Sequence, residues 1–373
     1  MRLLVVNAGS SSLKLSLLDA HDRVVASRTL HTPGAKLDRS ALQEALRGDL
    51  AGAEAVGHRI VHGGQRFREA VVVDEEVQAA LEELVDLAPL HQPKSLAALA
   101  ATREILPGLP AVACFDTAFH ATLSAAASTY ALPAGWRERW DLRRYGFHGL
   151  SHGWVAVRAP QLLQDDTRQL RLVSCHLGAG ASLCAISDGR SRDTTMGFTP
   201  VEGIVMATRS GSVDPGLLLW LLTSPRAQEH QALSAHELSE ALEHRSGLLG
   251  LSGSADMREV LRREGRQDAD AQLALGVYVH RLRAGIAAMA AALGGLDALV
   301  FTGGVGEAAP EVRARAAGGL GFLGVAVDPQ LNAHARGDAE ITAEGAPART
   351  LVLTAREDLQ IARQVRELLG AQR

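Results

Sequence analysis

Residues 3–18 read LLVVNAGSSSLKLSLL, an apolar run, a small-residue turn and then the alternating Leu13, Leu15 and Leu17. That order reads as strand, turn, strand. Residues 172–189, LVSCHLGAGASLCAISDG, repeat it, and Gly178 and Asp188 keep the ten-residue spacing of Gly9 and Asp19 at an offset of 169 residues. One Gly/Ser turn can recur by chance. An apolar strand, small-residue turn, alternating strand and Asp-containing turn recurring in one order favour an internal duplication, so the fold has to be one that two similar halves can build.

The rest of the chain alternates strand and helix signals, the signature of α/β layers. Strands are expected at 55–61, 71–73 and 111–115. Asp74 can cap a helix over 75–88, and Pro93 can open another over 94–106 that stops before Pro107. Beyond the second copy, helices are expected at 234–246, 256–264, 271–293 and 309–319, a buried strand at 298–302, another at 350–354 and a closing amphipathic helix at 357–369. With 373 residues and 47% apolar content there is enough chain for two domains. The 38 basic and 42 acidic residues are balanced without a long Lys/Arg run, which argues against a duplex nucleic-acid partner and for a small-molecule substrate. Cys114, Cys175 and Cys184 lie in apolar runs without CxxC spacing, as free thiols of a reducing cytosol do. The apolar run Leu3 to Val6 is too short for a signal-peptide core. Ala284 to Leu296 falls short of the roughly 20 residues a membrane span needs.

Three glycine-rich turns carry the candidate chemistry. Asn7-Ala8-Gly9-Ser10-Ser11-Ser12 lies between two strands, where small residues let backbone N–H groups approach an anion and the hydroxyls and amide add donors. An ordinary hairpin turn would read the same way. His176-Leu177-Gly178-Ala179-Gly180-Ala181-Ser182 offers the same groups in the second copy, and the pair favours phosphate. Thr302-Gly303-Gly304-Val305-Gly306-Glu307 follows an apolar strand and precedes a helix, so its glycines permit close approach of a nucleotide. Neither GxGxxG nor GxxxxGK[ST] spacing is present, which sets aside the Rossmann and P-loop readings. Three separate turns in a duplicated α/β chain suggest an actin-like phosphotransferase architecture.

The chain resembles the acetate kinase family of short-chain carboxylate kinases. The resemblance runs in order through VNAGSSSLK (6–14), GHRIVHGG (57–64), LAPLHQP (87–93), FDTAFH (115–120), RRYGFHGLSH (143–152), HLGAGAS (176–182), DTTMGFTPVEG (193–203), TRSGSVDP (208–215) and FTGGVGE (301–307). It implies a duplicated two-domain actin-like fold with an interdomain cleft, one domain at 1–116 plus 357–373 and the other, with most of the nucleotide site, at 117–356. It implies reversible transfer of the γ-phosphoryl of ATP to acetate with Mg²⁺, or Mn²⁺ in its place, in a cytoplasmic homodimer with no membrane partner.

Transfer between two anions needs cations around the reacting group, and Arg59 and Arg209 match the family's catalytic arginines. Arg59 is expected to hold the carboxylate and Arg209 the migrating phosphoryl group. His148 matches the transition-state histidine, and His91 and His176 match accessory histidines. Asp116, Glu357 and Asn7 match the groups that organise the metal, whose preference for oxygen ligands suits them. A helix N-terminal carboxylate is the plain alternative for Glu357. Val61, Leu90, Phe147 and Pro200 match the apolar lining around the acetate methyl, with Arg59 and His91 beside them. Each apolar member would otherwise pass as core. Lys14, His176, Leu177, Gly178, Ala179 and Gly180 match the phosphate contacts. Asp256, Met257 and Arg258, with Gly304, Val305 and Gly306, match the adenosine contacts, helix capping being the plain reading of Asp256.

The chain departs from the family pattern at Ala179 and Ala308, where Asn is usual, and at Ser212, where Asp is usual. Ala355-Arg356-Glu357-Asp358 stands where Thr-Asn-Glu-Glu is common, and residues 20–57 are shorter than in typical members. The rival readings are a propionate kinase and a non-catalytic actin-like nucleotide-binding protein. A nucleotide switch has no need of two arginines beside a carboxylate pocket.

Overall fold

The computed structural model describes residues 1–9, 12–31, 37–164, 169–224, 226 and 233–371. Ser10 and Ser11 of the first phosphate turn lie outside the described residues. The chain divides into two units: 1–121 with 147–154 and 356–373, and 122–146 with 155–355.

Each unit is built on one six-stranded sheet. The first holds β1 (Leu3–Ala8), β2 (Ser12–Leu18), β3 (Val24–His31), β4 (Ala55–Ile60), β5 (Val71–Val72) and β6 (Ala111–Phe115), in the order β3-β2-β1-β4-β6-β5. The second holds β7 (Leu172–Leu177), β8 (Ala181–Ser187), β9 (Arg190–Thr194), β10 (Ala298–Thr302), β11 (Ala339–Glu340) and β12 (Arg349–Val352), in the order β11-β12-β10-β7-β8-β9. Read from the opposite edge, the second order is the first with every strand advanced by one copy. The pairing senses agree as well: an antiparallel three-strand ribbon, then β1/β4/β6 or β7/β10/β12 in parallel, then a short antiparallel edge. The duplication expected from the turn motifs is present in topology.

The two copies differ at the turn. Ala8 opposes Leu13, whereas Leu177 opposes Ala181, so the second turn is one residue shorter. Gly9 N–H accordingly reaches Ser12 O at 2.8 Å, and Gly178 N–H reaches Gly180 O at 3.0 Å.

In the first unit the inner strands β1, β4 and β6 are buried on both faces, as near-continuous apolar runs such as Leu3–Val6 and Ala111–Phe115 require, while the edge strand β3 is largely exposed. One face packs Leu4, Val6, Leu13, Leu15 and Val56 against helices Arg39–Arg47 and Gln92–Ile105. The other packs Leu3, Val5, Ala55 and Cys114 against Ile361, Ala362 and Val365 of helix Glu357–Gly370. Gly57 makes that second contact possible, since a Cβ there would lie 2.5 Å from Ile361 Cγ2. The close approach brings the closing helix, with Glu357 at its first position, onto the parallel strands.

Most expected elements form with ends within two residues of the expected ones. The helix expected over 75–88 is Glu75–Glu83 followed by the 3-10 turn Leu84–Leu87, and the one expected at 309–319 is Pro310–Ala317. The domain boundary differs from the expected 116. Residues 117–121 and 147–154 belong to the first unit because Gly149 N–H donates to Asp116 O at 2.8 Å and His120 Nε2 pairs with Phe147 O at 3.0 Å.

Candidate active site

Parallel strands deliver the residues at their carboxyl ends to one side of a sheet, where α/β proteins place their ligands. In the first unit those ends are Asn7 in β1, Arg59 in β4 and Asp116 directly after β6. The structure brings all three together with Glu357. Arg59 Nη2 donates to Asp116 Oδ2 at 2.6 Å, and its Nε donates to the same oxygen at 3.0 Å. Arg59 Nη1 donates to Asn7 Oδ1 at 3.2 Å, and Asn7 Nδ2 donates to Glu357 Oε2 at 2.7 Å. Arg59 Nη1 also lies 3.9 Å from Glu357 Oε2. The plain reading of Glu357 as a helix-end carboxylate is met too, since it opens helix Glu357–Gly370, but its oxygen is engaged by Asn7.

Burial alone would disfavour the Arg59 charge, yet the Asp116 and Glu357 carboxylates outweigh it and hold the guanidinium protonated. Burial pushes the Asp116 carboxyl up, Arg59 pulls it down, and Glu357 adds to the rise. Arg59 was expected to hold the substrate carboxylate; here Asp116 takes one edge of its fork, and each terminal nitrogen carries a further N–H for a second anion. Neighbouring Asp358 is bound by the Arg356 guanidinium at 2.9 and 2.8 Å, so the Glu357-Asp358 pair is not a doubled carboxylate at this point.

Among the described residues there is no group of three His, Cys, Asp or Glu side chains that could hold a metal. The set that is present, two carboxylates and an amide, offers only oxygen ligands. That fits Mg²⁺, which usually takes one or two carboxylates and completes its shell with waters and substrate phosphates.

Lys14 is exposed on β2 and stands directly opposite Asn7 in the register. Val61 follows β4 and is buried, Phe147 is buried, and Leu90 is 41% exposed. His91 caps helix Gln92–Ile105 with its backbone. His148 adopts φ 56°, in the left-handed region that glycine favours and that His, Asn and Asp enter more readily than other residues.

In the second unit the same logic applies to β7 and β10. Their register aligns His176 with Thr302, so the phosphate turn after Leu177 and the turn beginning at Gly303 emerge side by side. Gly303 has φ 78°, and a Cβ there would lie 2.9 Å from Leu177 O. Gly306 is less confined, a Cβ there meeting Leu177 Cβ at 3.7 Å, an ordinary contact distance. Ala179, which lacks the side-chain amide usual in the family, keeps a backbone role: its carbonyl accepts from Ala207 N–H at 3.1 Å. That bond sets the segment ahead of Arg209 beside the turn. Arg209 Nη1 donates to Pro200 O at 3.3 Å, and burial lowers its pKa from the ordinary value against the opposing charge of Glu243. Ser212 Oγ accepts from Gly203 N–H at 3.0 Å, closing the loop that carries Arg209.

Asp256 caps helix Met257–Glu264, accepting from Arg258 N–H at 2.9 Å, and its carboxylate pairs with the Arg258 guanidinium at 2.7 Å. Both are exposed, while Met257 is buried. Gly304 and Val305 lie in helix Gly303–Ala308; the helix starts inside the motif rather than after it. Glu307 ties the turn together, its Oε1 accepting from Gly303 N–H at 3.0 Å and Ala355 N–H at 2.9 Å.

Arg313 escaped the sequence reading. It is fully buried, with Nη1 donating to the Gly306 and Glu307 carbonyls at 2.8 Å and Nε donating to Asn332 Oδ1 at 2.8 Å. It fixes the underside of the Gly304–Gly306 turn. Seven residues after a glycine turn, an Arg reads as an exposed helix residue, and no signal in the sequence alone distinguishes it.

Comparison with known proteins gives a consistent picture. The model of the Acetokinase family matches residues 25–363. The acetate kinase of Synechococcus sp. (strain JA-2-3B'a(2-13)) is 45% identical over 408 residues, covering 99% of each chain. That of Gloeobacter violaceus is 47% identical over 365 residues, covering 95% of this chain and 88% of its own. Among solved structures, Porphyromonas gingivalis acetate kinase aligns with a TM-score of 0.88 at 36% identity over 99% of both chains. A propionate kinase from Francisella tularensis aligns with a TM-score of 0.88 at 32% identity over 97% of this chain and 98% of that one.

Proposed function

The chain belongs to the acetokinase family and is a phosphotransferase that moves the phosphoryl group of ATP to the carboxyl group of acetate, and from that premise we propose how its residues divide the work. An acetate oxygen attacks the γ-phosphorus as the bond to the β–γ bridging oxygen breaks, giving acetyl phosphate and ADP. The attacking carboxylate is already ionised, so the transfer needs neither a protein nucleophile nor a general base. What the protein supplies is position and positive charge.

The observation that carries this reading is the cluster of Asn7, Arg59, Asp116 and Glu357 at the carboxyl ends of β1, β4 and β6. Asp116 orients Arg59 so that its remaining N–H groups meet the acetate carboxylate and the phosphoryl oxygens. Asn7, Asp116 and Glu357 would hold Mg²⁺, which when bound neutralises phosphate charge. Arg209 stabilises the migrating group, with the Pro200 carbonyl steadying its fork. His148 donates to a phosphoryl oxygen, and His91 and His176 assist. Lys14, His176 and the backbone of Leu177, Gly178, Ala179 and Gly180 take the phosphates. Asp256, Met257, Arg258, Gly304, Val305 and Gly306 contact the adenosine.

Val61, Leu90 and Phe147 of the first unit and Pro200 of the second are assigned to the acyl group because they match the lining of the family's acetate pocket. Similarity to acetate kinases at 45% and 47% identity favours acetate over propionate as the preferred acid. Val213, Leu217, Leu219 and Trp220, on and just ahead of helix Pro215–Thr223, are large exposed apolar side chains that support a homodimer. The three cysteines are buried free thiols, in keeping with a cytoplasmic enzyme.

The test is hydroxamate-trapped acyl phosphate formation with ATP and acetate, propionate or butyrate in parallel. Acetate gives the highest kcat/KM and butyrate the lowest. A preference for butyrate would sink the pocket assignment.

A further inference from the structure

We propose that Gln92 is a positioning residue for acyl-chain selection, acting through a buried clasp on the backbone of His62. The proposal rests on the reading of Val61, Leu90 and Phe147 as acyl-pocket lining, all three of which belong to the first unit.

Gln92 is the first residue of helix Gln92–Ile105 and is fully buried, as is His62. Its side-chain amide makes two bonds to one peptide segment. Nε2 donates to His62 O at 3.0 Å, and Oε1 accepts from His62 N–H at 3.1 Å. The pairing fixes the amide orientation, because the flipped amide would set donor against donor and acceptor against acceptor. The loop it grips is held at two further points. Gly63 N–H donates to Thr117 Oγ1 at 3.0 Å, and Gly64 N–H donates to His62 Nδ1 at 2.9 Å. The latter bond needs a neutral imidazole, and burial holds the His62 pKa down at about 4.

Three pocket members take their places from this clasp. Val61 precedes the gripped residue in sequence, and Leu90 stands two residues before Gln92. Phe147 packs edge-on against the His62 ring, with centroids 5.6 Å apart and planes at 69°. None of the clasp atoms need touch acetate. A sub-ångström shift of His62 relative to Gln92 would move Val61, Leu90 and Phe147 with respect to one another, and a pocket that discriminates one methylene is sensitive to shifts of that size.

The experiment compares Gln92→Met, which keeps the length of the side chain and removes both bonds, with Gln92→Glu, which keeps the acceptor and loses the donor. Val61→Ala is measured beside them as a direct pocket change. For each variant kcat and KM are determined with acetate and propionate, together with KM for ATP and the Tm. In Gln92→Met the acetate KM is expected to rise about tenfold and the acetate-to-propionate ratio of kcat/KM to fall by about the same factor, one methylene's worth of discrimination, with ATP KM within about twofold. Gln92→Glu is expected to lie between wild type and Gln92→Met, and it decides the question alone if Gln92→Met does not fold. If Val61→Ala alters the ratio while a folded Gln92 variant loses only Tm, Gln92 is an ordinary loop anchor and the proposal is overturned. If the ratio moves in neither Val61→Ala nor the Gln92 variants, the pocket reading falls, and the proposal falls with it.

Discussion

His148 sits in the left-handed region at φ 56°, and the next residue shows how the segment is held. Gly149 N–H bonds to Asp116 O, and a Cβ on Gly149 would lie 2.1 Å from that same oxygen. Only glycine lets the first turn of helix Gly149–Leu163 sit this close to the end of β6. Gly149→Ala therefore has to push the segment 147–149 away from Asp116. It should lower stability by about 1–3 kcal/mol, typical of overpacking, and lower kcat more than it raises the KM for ATP. Thermal unfolding and steady-state kinetics check this; an unchanged Tm with wild-type kcat would show that neither His148 nor Asp116 depends on the contact.

Strand β4 carries a second test. His58, one residue before Arg59, is buried, and burial chiefly, aided by the Arg103 charge, lowers its pKa from 6.5 to about 3. The unfolded chain binds a proton on His58 below about 6.5 that the folded chain refuses until about 3, so the native state is favoured at higher pH and loses stability as pH falls through that window. His62, held down at about 4, acts in the same sense. Denaturant unfolding between pH 7 and 4 should show stability falling with acid, and His58→Leu should flatten the slope by about one proton. An unaltered slope in His58→Leu would mean that His58 titrates normally in the fold.

The same strand shows what could be read beforehand. The strands of the duplicated turns and Ala111–Phe115 were legible because apolar runs bounded by Gly, Pro or Asp are local signals. Arg59 and Asp116 could be named only through the family motifs, since their bond spans 57 residues and exists only because β4 and β6 run parallel with their ends together. Helices Gly149–Leu163 and Pro215–Thr223 escaped notice for different reasons. The first carries Pro160 in its interior and begins Gly-Leu-Ser-His-Gly, and the second, Pro-Gly-Leu-Leu-Leu-Trp-Leu-Leu-Thr, is apolar all round and shows no helical period. Gln92 lay just ahead of the helix expected to open at Pro93, and only the fold reveals the peptide that its amide clasps.

At the scale of the whole molecule, two sheets of one topology each present the ends of parallel strands, one with Arg59, Asp116 and Glu357, the other with the glycine-rich turns that follow Leu177 and Thr302. This is an actin-like architecture, and it divides the labour proposed above: acetate and metal with the first unit, nucleotide and Arg209 with the second. Ligand binding in two-domain phosphotransferases commonly draws the domains together. ATP should accordingly reduce the radius of gyration measured by small-angle scattering. Identical profiles for the free and ATP-bound enzyme would contradict it.

The most direct test of the catalytic assignment is Arg209→Ala, measured by acyl phosphate formation beside calorimetric ATP binding, with folding verified by circular dichroism. An arginine that acts on the migrating phosphoryl group contributes chiefly in the transition state, where comparable arginines are worth about 10³- to 10⁵-fold in kcat. The expected result is a loss of that order with ATP affinity nearly unchanged and only weak rescue by Arg209→Lys, which keeps the charge and loses the planar fork. A folded Arg209→Ala that keeps kcat within about threefold of wild type, a difference under about 1 kcal/mol, would contradict the assignment.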